Sequence, residues 1–288
     1  MLADQGGNRV GVVAAADGSF DGIQGSRQRA LTSPTEYAGQ ACVAVQASAV
    51  PGLTPTQNAR LVDEWCDFFS AGPTGIRDLS FPMRMPKRLF AALASQTQLR
   101  RLAVLTGVYD DLCPLAAMTE LWELELESAT SVTSLEPVRH LARLESLRIG
   151  GLHRLRDYSP VADITGLRQL ELGFAYGQTY ADSYEFVRDL GSLRMARLCL
   201  IPAGLRYEPL LALTHVEDLA VYVGARNQRK MTPTLIDLEW ALPGIQRCKA
   251  DIVARRTYEW RRGERIGHWI SDDEGTATLV RYDPPSLD

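Results

Sequence analysis

The chain has 288 residues, of which 45% are hydrophobic and 23% are charged. This is the composition of an ordinary globular protein, so a wholly disordered or fibrous chain is excluded. The 35 acidic residues slightly outnumber the 31 basic ones, for a formal net charge of -4, whereas a general nucleic-acid binder usually carries a basic excess. We therefore expect no nucleic-acid partner.

The cysteine pattern and the absence of long apolar runs indicate a compartment. Five widely spaced cysteines without a CxxC pair argue against a disulfide framework and against a zinc site. The apolar run from Val10 to Ala16 is short and is followed at once by Asp17, unlike a secretory signal peptide. No stretch approaches the ~18 apolar residues that cross a bilayer. The sequence predicts a cytoplasmic protein with reduced thiols, no metal or other cofactor, and no membrane contact, and it leaves the oligomeric state open.

The N-terminal quarter of the chain predicts a loose segment followed by a strand and a helix. Residues 1–35 show little apolar periodicity and are rich in Gly, Ser and Gln, so we expect part of residues 1–53 to be mobile. Residues 40–47 alternate in polarity and could form a strand. The stretch Thr54-Pro55-Thr56-Gln57 has the form of a capping box with proline at the first helical position. Apolar residues then recur at helical spacing, at Leu61, Trp65 and Phe69. We predict an amphipathic helix over 54–70 that covers the first strand of the next region.

From residue 76 onward, apolar residues recur at offsets 0, +3 and +5 in eight successive segments that start 22 to 29 residues apart. Six copies are clear: Leu99-Leu102-Val104, Leu121-Leu124-Leu126, Leu144-Leu147-Ile149, Leu167-Leu170-Leu172, Leu193-Ala196-Leu198 and Val216-Leu219-Val221. Weaker copies begin at Ile76 and Ile245. A second marker has the same phase, because a proline stands seven residues before a repeat start at Pro114, Pro137, Pro160 and Pro209, and Phe186 takes that place before Leu193. Proline suits the first turn of a short helix that returns the chain to the next strand.

The stretches Leu121 to Leu126 and Leu144 to Ile149 resemble the LxxLxL core of leucine-rich repeats. Their length near 22 residues and the proline-marked return segment are similar to the short bacterial, internalin-like class. The resemblance implies an α/β leucine-rich repeat solenoid with about eight strand-turn units that form a curved parallel sheet. One repeat cannot bury its own apolar face, so stacked neighbours share one core.

The region after the repeats changes character. Residues 252–282 are rich in Thr, Tyr, Trp, Val and Ile and contain two turn clusters, which predicts a small antiparallel meander that caps the open sheet edge. The predicted organisation is therefore an N-terminal segment over 1–53, a helical cap over 54–75, repeats over 76–250 and a β-rich cap over 251–288.

Outward-facing strand residues are the first candidates for a binding surface. At offset +4, Glu125, Arg148, Glu171 and Arg197 should be lateral neighbours in a parallel sheet, about 4.8 Å apart, and Asp78, Arg101 and Glu123 form a second such row at offset +2. Alternating charges stabilise adjacent strands, and they can equally bind a partner by charge complementarity. We expect the end of the concave face that carries Glu123, Glu125 and Glu127 to be locally acidic.

Two repeats are longer than the others, and the extra residues follow their strands on the same edge of the solenoid. One loop holds Tyr176, Tyr180 and Tyr184, and the other holds Tyr222 and Arg226. Insertions of this kind often form a binding face, and tyrosine and arginine are enriched in interface hot spots. The alternative is that the tyrosines pack over the enlarged turn.

The sequence contains no GxSxG, GxxxxGK[ST], HExxH or GxGxxG motif, so an enzyme is the less favoured class. The favoured function is a protein-protein interaction module that binds a protein or peptide through its concave face and one loop edge. The binding residues expected are Tyr176, Tyr180, Tyr222, Arg226, Glu123, Glu125, Glu127 and Arg148. The alternative is an enzyme, or the substrate-recognition subunit of one, in which a C-terminal cluster binds an anionic ligand: Arg255, Arg256, Arg261, Arg262 and Arg265 with Trp260 and Trp269.

Overall fold

A computed structural model describes residues 29–173 and 179–221, and it describes the backbone of residues 247–253, 256–261, 264–271 and 277–281. The strands are β1 (Cys42–Ala44), β2 (Asp78–Phe81), β3 (Arg101–Val104), β4 (Glu123–Glu127), β5 (Ser146–Gly150), β6 (Gln169–Leu172), β7 (Thr179–Ala181), β8 (Met195–Leu198), β9 (Leu200–Pro202), β10 (Asp218–Val221), β11 (Arg247–Val253), β12 (Arg256–Arg261), β13 (Glu264–Ser271) and β14 (Ala277–Arg281). The helices are α1 (Pro55–Ser70) and α2 (Lys87–Ala92).

One sheet contains twelve of these strands, in the order β1-β2-β3-β4-β5-β6-β8-β10-β11-β12-β13-β14, and β7 pairs separately with β9. The eight strands from β2 to β11 in this order are parallel neighbours, each contributed by one sequence repeat. Their register matches the repeat frame, since Leu102, Leu124 and Leu147 are aligned partners at offset +3. The predicted α/β solenoid with one parallel strand per repeat is confirmed.

The core lies between this sheet and the return segments. Side chains at offsets 0, +3 and +5 point inward, and Leu121, Leu124 and Leu126 are all fully buried. Five of the return segments are five-residue 3-10 helices: Cys113–Ala117, Glu136–His140, Ser159–Asp163, Glu185–Asp189 and Glu208–Ala212. Proline occupies the first turn of four of them, as the sequence marker predicts. Each return segment adds a buried side chain, such as Val138 or Val161.

The N-terminal helix begins at the predicted capping box and lies between two strands of the sheet. Thr54 caps α1, with its side chain accepting from the Gln57 N–H and the Gln57 side chain accepting from the Thr54 N–H. The helix packs against the first repeat strand, since the Phe69 ring lies 6.2 Å from that of Phe81 in β2. It connects β1 to β2, which pair in parallel, so it takes the place of a return segment and β1 extends the sheet by one strand. Trp65 is fully buried, and its Nε1 donates to the Thr32 carbonyl at 3.0 Å.

The sheet continues past the repeats with antiparallel strands. β12, β13 and β14 form consecutive antiparallel pairs after β11, in the segment where the sequence indicates a meander. β11 itself pairs in parallel with β10, so the edge of the parallel array is covered by β12. No helix among the described residues is both long enough and apolar enough to cross a bilayer. The division of the chain into four segments stays a prediction.

Candidate functional site

The candidate site lies on the sheet face that points away from the core, here called the concave face. Strand residues at offsets +2 and +4 of each repeat occupy this face because successive side chains of a strand alternate. The register places Glu125, Arg148, Glu171 and Arg197 side by side on four neighbouring strands. The predicted row of alternating charges is therefore present.

Arg148 is the centre of an ion network on this face. Its guanidinium lies 3.2 Å from Glu125 Oε1, 2.9 Å from Glu127 Oε1 and 3.5 Å from Glu171 Oε2. Three carboxylates thus surround one cation, and the Arg148 side chain is only 23% exposed. Such multiple contacts hold the side chain in one place far better than an isolated surface pair would.

Two further arginines extend the network along the sheet. Arg197 Nη1 lies 2.9 Å from Glu171 Oε1, and Arg101 Nε lies 2.7 Å from Glu123 Oε2. At the end of the second predicted row, Asp78 Oδ2 accepts a hydrogen bond from Cys42 Sγ at 3.2 Å. Ion pairs on this face therefore extend from β3 to β8, whereas Asp78 on β2 contacts Cys42.

Three carboxylates of the network, those of Glu123, Glu125 and Glu171, are buried although they lie on the outer face. Glu125 is only 4% exposed, and this burial raises its pKa to about 7. The Arg148 guanidinium lowers that pKa, and the carboxylates of Glu127, Glu123 and Glu171 raise it. Burial likewise raises the pKa of Glu123 and of Glu127. Burial is the largest cause of all three shifts, and neighbouring carboxylates add to it.

The loop edge is only partly within the described residues. Tyr176, Tyr222 and Arg226 lie outside them, so their role as binding residues stays a prediction. Tyr180 is the middle residue of β7, is 36% exposed, and has the Arg156 guanidinium 4.5 Å from the centroid of its ring. An aromatic ring and a cation therefore lie together at the surface of this edge.

Tyr184, from the same loop, has a packing role. It is fully buried, its ring lies 5.5 Å from that of Tyr207, and its hydroxyl donates to the Leu200 carbonyl at 3.1 Å. Tyr207 occupies the equivalent place one repeat later and donates to the same carbonyl at 3.3 Å. The two tyrosines pack against each other and bond the same β9 carbonyl, so Tyr184 follows the packing alternative raised from the sequence.

A third row of outward residues was missed by the sequence analysis. Residues at offset +1 lie at the edge where the chain enters each strand, and backbone hydrogen bonds join them one after another: Arg77, Arg100, Trp122, Glu145, Arg168, Arg194 and Glu217. Trp122 is 40% exposed, and the Arg101 guanidinium lies 5.3 Å from its ring centroid. Reading offset +1 in the same repeat frame would have found this row.

The described residues contain no group of three or more His, Cys, Asp or Glu side chains arranged to hold a metal ion. For the alternative function, Arg255 and Arg262 lie outside the described residues. The other members of that cluster lie in β12 and β13, of which only the backbone is described: Arg256, Trp260, Arg261, Arg265 and Trp269.

The repeat length, the LxxLxL core and the strand register are all features of one type of solenoid. The described solenoid is a leucine-rich repeat fold. Neither the protein-family models nor the curated proteins gave a match to this sequence.

Three solved structures, all from bacteria, are similar to part of this chain. An internalin from Listeria monocytogenes is 21% identical, with a TM-score of 0.40, over 52% of this chain and 40% of that one. Internalin C2 from the same species is 17% identical, with a TM-score of 0.39, over 51% of this chain and 59% of that one. A leucine-rich repeat protein from Leptospira interrogans is 12% identical, with a TM-score of 0.29, over 66% of this chain and 58% of that one. The chain thus spans between 40% and 59% of the length of these structures.

Proposed function

We propose that the protein is an interaction module that binds another protein or a peptide through the concave face of its repeat solenoid and through one loop edge. The observation that carries this proposal is the ion network around Arg148, which presents fixed charges on an open sheet face. Preorganised charged groups favour specific partners because their positions need no reordering on binding.

The charge balance of the concave face indicates the chemistry of the partner. Between β2 and β10 this face carries six carboxylates: Asp78, Glu123, Glu125, Glu127, Glu171 and Asp218. It carries three guanidiniums, those of Arg101, Arg148 and Arg197, so the carboxylates exceed them by three. A partner that places lysine or arginine side chains over Glu125 and Glu127 would offset this excess.

The loop edge supplies an aromatic contact beside the charged face. Tyr180 with Arg156 is an exposed pair of the residue types that dominate binding energy at interfaces. Tyr222 and Arg226 are proposed as further contacts on the same edge. None of the four described cysteines forms a disulfide with another described residue, and we propose the cytoplasm as the compartment of the interaction.

The test begins with capture of binding proteins on the immobilised full-length chain and identification of the retained partner. The affinity of the purified partner is then measured for the parent and for Glu125→Gln/Glu127→Gln. We expect at least tenfold weaker binding and a smaller salt dependence, because the variant removes the negative charge of Glu127 and of the ionised fraction of Glu125 from this face.

The matched control is Glu64→Gln/Asp67→Asn, which removes two exposed carboxylates from α1 on the opposite side of the core. It should bind like the parent. Equal affinity of the parent and the concave-face variant would show that the partner does not use this face.

A further inference from the structure

The edge where the chain enters the repeat strands carries a second, basic surface that the proposed function does not use. We call it the arginine edge and define it by residues at offsets +1 and -1 of six repeats: Arg77, Arg100, Glu120, Trp122, Arg143, Glu145, Arg168 and Arg194. The backbone N–H groups of Arg100, Trp122, Glu145, Arg168 and Arg194 each donate to the carbonyl of the preceding member of the row, at 2.8 to 2.9 Å. The spacing of these side chains is therefore fixed by the solenoid itself.

A groove of about 520 Å³ runs along the middle of this edge. Its walls include Arg100, Trp122 and Arg168, and small residues line it at Ala142, Gly166 and Ser192. The groove crosses five successive repeats, from that of Arg100 to that of Ser192. At about 4.8 Å per strand it is roughly 19 Å long, which matches about six residues of extended peptide.

The charge of the arginine edge is opposite to that of the chain as a whole. Five arginines and two glutamates leave a local excess of three positive charges, whereas the chain has a formal net charge of -4. Arg100 is exposed, and no carboxylate of a described residue lies within ion-pair distance of it. This edge therefore attracts acidic groups.

The ion pairs already present on this edge are exposed and easily exchanged. Arg143 pairs with Glu120, and Arg168 Nε lies 3.6 Å from Glu145 Oε2, with each of the four side chains more than 40% exposed. Exposed pairs of this kind contribute little to stability, because water and salt screen them. Arg143 and Arg168 can each donate hydrogen bonds to a carboxylate of a partner, and no buried interaction is lost when they do.

Trp122 adds an apolar contact in the centre of the groove. The side chain is exposed by 40% although its two neighbours in sequence, Leu121 and Glu123, are buried. Arg101 lies over the ring and is itself paired with Glu123, which holds the ring in place. A tryptophan that is fixed and exposed between arginines has the composition and setting of an interface hot spot.

We propose that the arginine edge binds an extended acidic peptide segment of about six residues, with one aromatic or aliphatic side chain against Trp122 and carboxylates against Arg100, Arg143 and Arg168. A peptide fits better than a nucleic acid, because a peptide can carry its carboxylates at selected positions, away from Glu120 and Glu145, whereas a nucleic acid carries a phosphate at every nucleotide. This surface is separate from the concave face and does not depend on the function proposed for that face.

The experiment selects binders for the full-length chain from a random hexapeptide display library. The best selected peptide is synthesised with a fluorescent label, and its affinity is measured by fluorescence anisotropy. We expect the selected sequences to be enriched in Asp and Glu around one aromatic or aliphatic residue. We also expect at least tenfold weaker binding to Trp122→Ala and to Arg100→Glu, and weaker binding to the parent as salt rises.

Matched controls are Val108→Ala, which truncates another exposed apolar side chain, and Arg60→Glu, which reverses an exposed charge on α1. Both should bind the peptide like the parent. Selected peptides without acidic enrichment, or equal binding to Trp122→Ala and Arg100→Glu, would overturn the proposal.

Two further arms separate the competing outcomes. In the first arm, single-stranded dT12 is tested for binding to the parent, for competition with the peptide and for binding to Arg100→Glu. Binding to the parent that competes with the peptide and disappears in Arg100→Glu would identify the ligand of this edge as a nucleic acid and would overturn the proposal. Loss of peptide binding in Glu125→Gln/Glu127→Gln, with binding retained in Trp122→Ala, would assign the peptide to the concave face, so the arginine edge would fail while the function proposed for that face would stand.

Discussion

Glu125 contributes an ion pair to the sheet and also lies on the proposed binding surface, but its ionised form is destabilised by burial. Its carboxylate is buried on the outer face, beside three other carboxylates and one guanidinium. A charge removed from water is stabilised only if its partners replace the lost hydration. The groups around Glu125 replace only part of the hydration that its carboxylate loses, since its pKa is raised to about 7. The ionised carboxylate would gain from a further cation, which is the group that we propose a partner supplies.

The raised pKa of Glu125 predicts how stability changes with pH. The folded protein holds this proton up to about pH 7, whereas the unfolded chain loses it near the ordinary value of 4.5. The free energy of unfolding should therefore fall as the pH rises between these values. The raised pKa values of Glu123 and Glu127 act in the same direction. Urea denaturation at pH 5, 6, 7 and 8 should show this decline in the parent and a smaller one in Glu125→Gln.

Glu64→Gln is the control for this series, because Glu64 is exposed on α1. Its decline should equal that of the parent. Equal changes of the unfolding free energy from pH 5 to pH 8 in the parent and in Glu125→Gln would show that Glu125 ionises in the folded protein at its ordinary pKa.

At the scale of elements, the repeat strands could be predicted from the sequence because each contains an inward leucine at a fixed offset. Leu124, Leu147 and Leu170 lie in register, as the repeat frame requires. The same frame predicted the neighbours of Arg148, because parallel strands place equal offsets side by side. Burial of Glu125 did not follow from the pattern, since it depends on how long side chains from three strands fold over one another.

The parts that the sequence could not predict depend on contacts outside the repeat frame. Tyr180 and Tyr184 belong to one short loop, yet Tyr184 is buried and Tyr180 is exposed. Tyr180 is the exposed middle residue of β7, which pairs with β9, whereas Tyr184 directly precedes the return helix Glu185–Asp189. No periodicity in the loop indicates such a second ladder. By contrast, the order of β1, α1 and β2 follows the sequence pattern, because β1 lies within the alternating stretch 40–47 and α1 follows the capping box at Thr54.

The hydrogen bonds of the Gln96 side chain join the end of α1 to the repeats. This side chain is fully buried, and its Nε2 donates to the carbonyls of Phe69 and Gly72 at 2.6 and 2.7 Å. Its Oε1 accepts from the Thr74 N–H at 3.2 Å. Gln96→Ala should lower the free energy of unfolding by about 2–4 kcal/mol, since buried backbone groups lose their partners. Urea denaturation measures the change.

Gln169→Ala is the comparison for Gln96→Ala, because the Gln169 side chain forms no hydrogen bond with a described residue. It should change the free energy of unfolding by less than about 1 kcal/mol. Equal effects of the two substitutions would mean that the Gln96 hydrogen bonds do not hold the helix to the repeats.

At the scale of the whole molecule, the solenoid is stabilised by contacts between neighbouring repeats. Each inward leucine packs against the repeats before and after it, and the core is continuous from Val43 in β1 to Val221 in β10. Because no repeat buries its apolar face alone, an internal defect deprives both flanking repeats of a partner. The packing of neighbouring repeats fixes the side-chain positions of the two candidate surfaces in different ways. The concave face relies on strand register, and the arginine edge relies on the backbone ladder that precedes each strand.

Leu147 tests whether this core acts as one cooperative unit. It is fully buried in β5, near the middle of the parallel array, and an unpaired carboxylate there would cost several kcal/mol, comparable with the stability of a whole domain. Leu147→Asp should therefore unfold the protein outright. Hydrogen–deuterium exchange should show loss of amide protection in β5 and equally in α1, which lies almost 80 residues earlier in the chain. Leu147→Met, which keeps the volume and the apolar character, should retain protection in both elements. Amide protection that persists in α1 of Leu147→Asp would show that the N-terminal units fold without the central repeats. A folded Leu147→Asp variant with the melting temperature of the parent would show that this side chain does not point into the core.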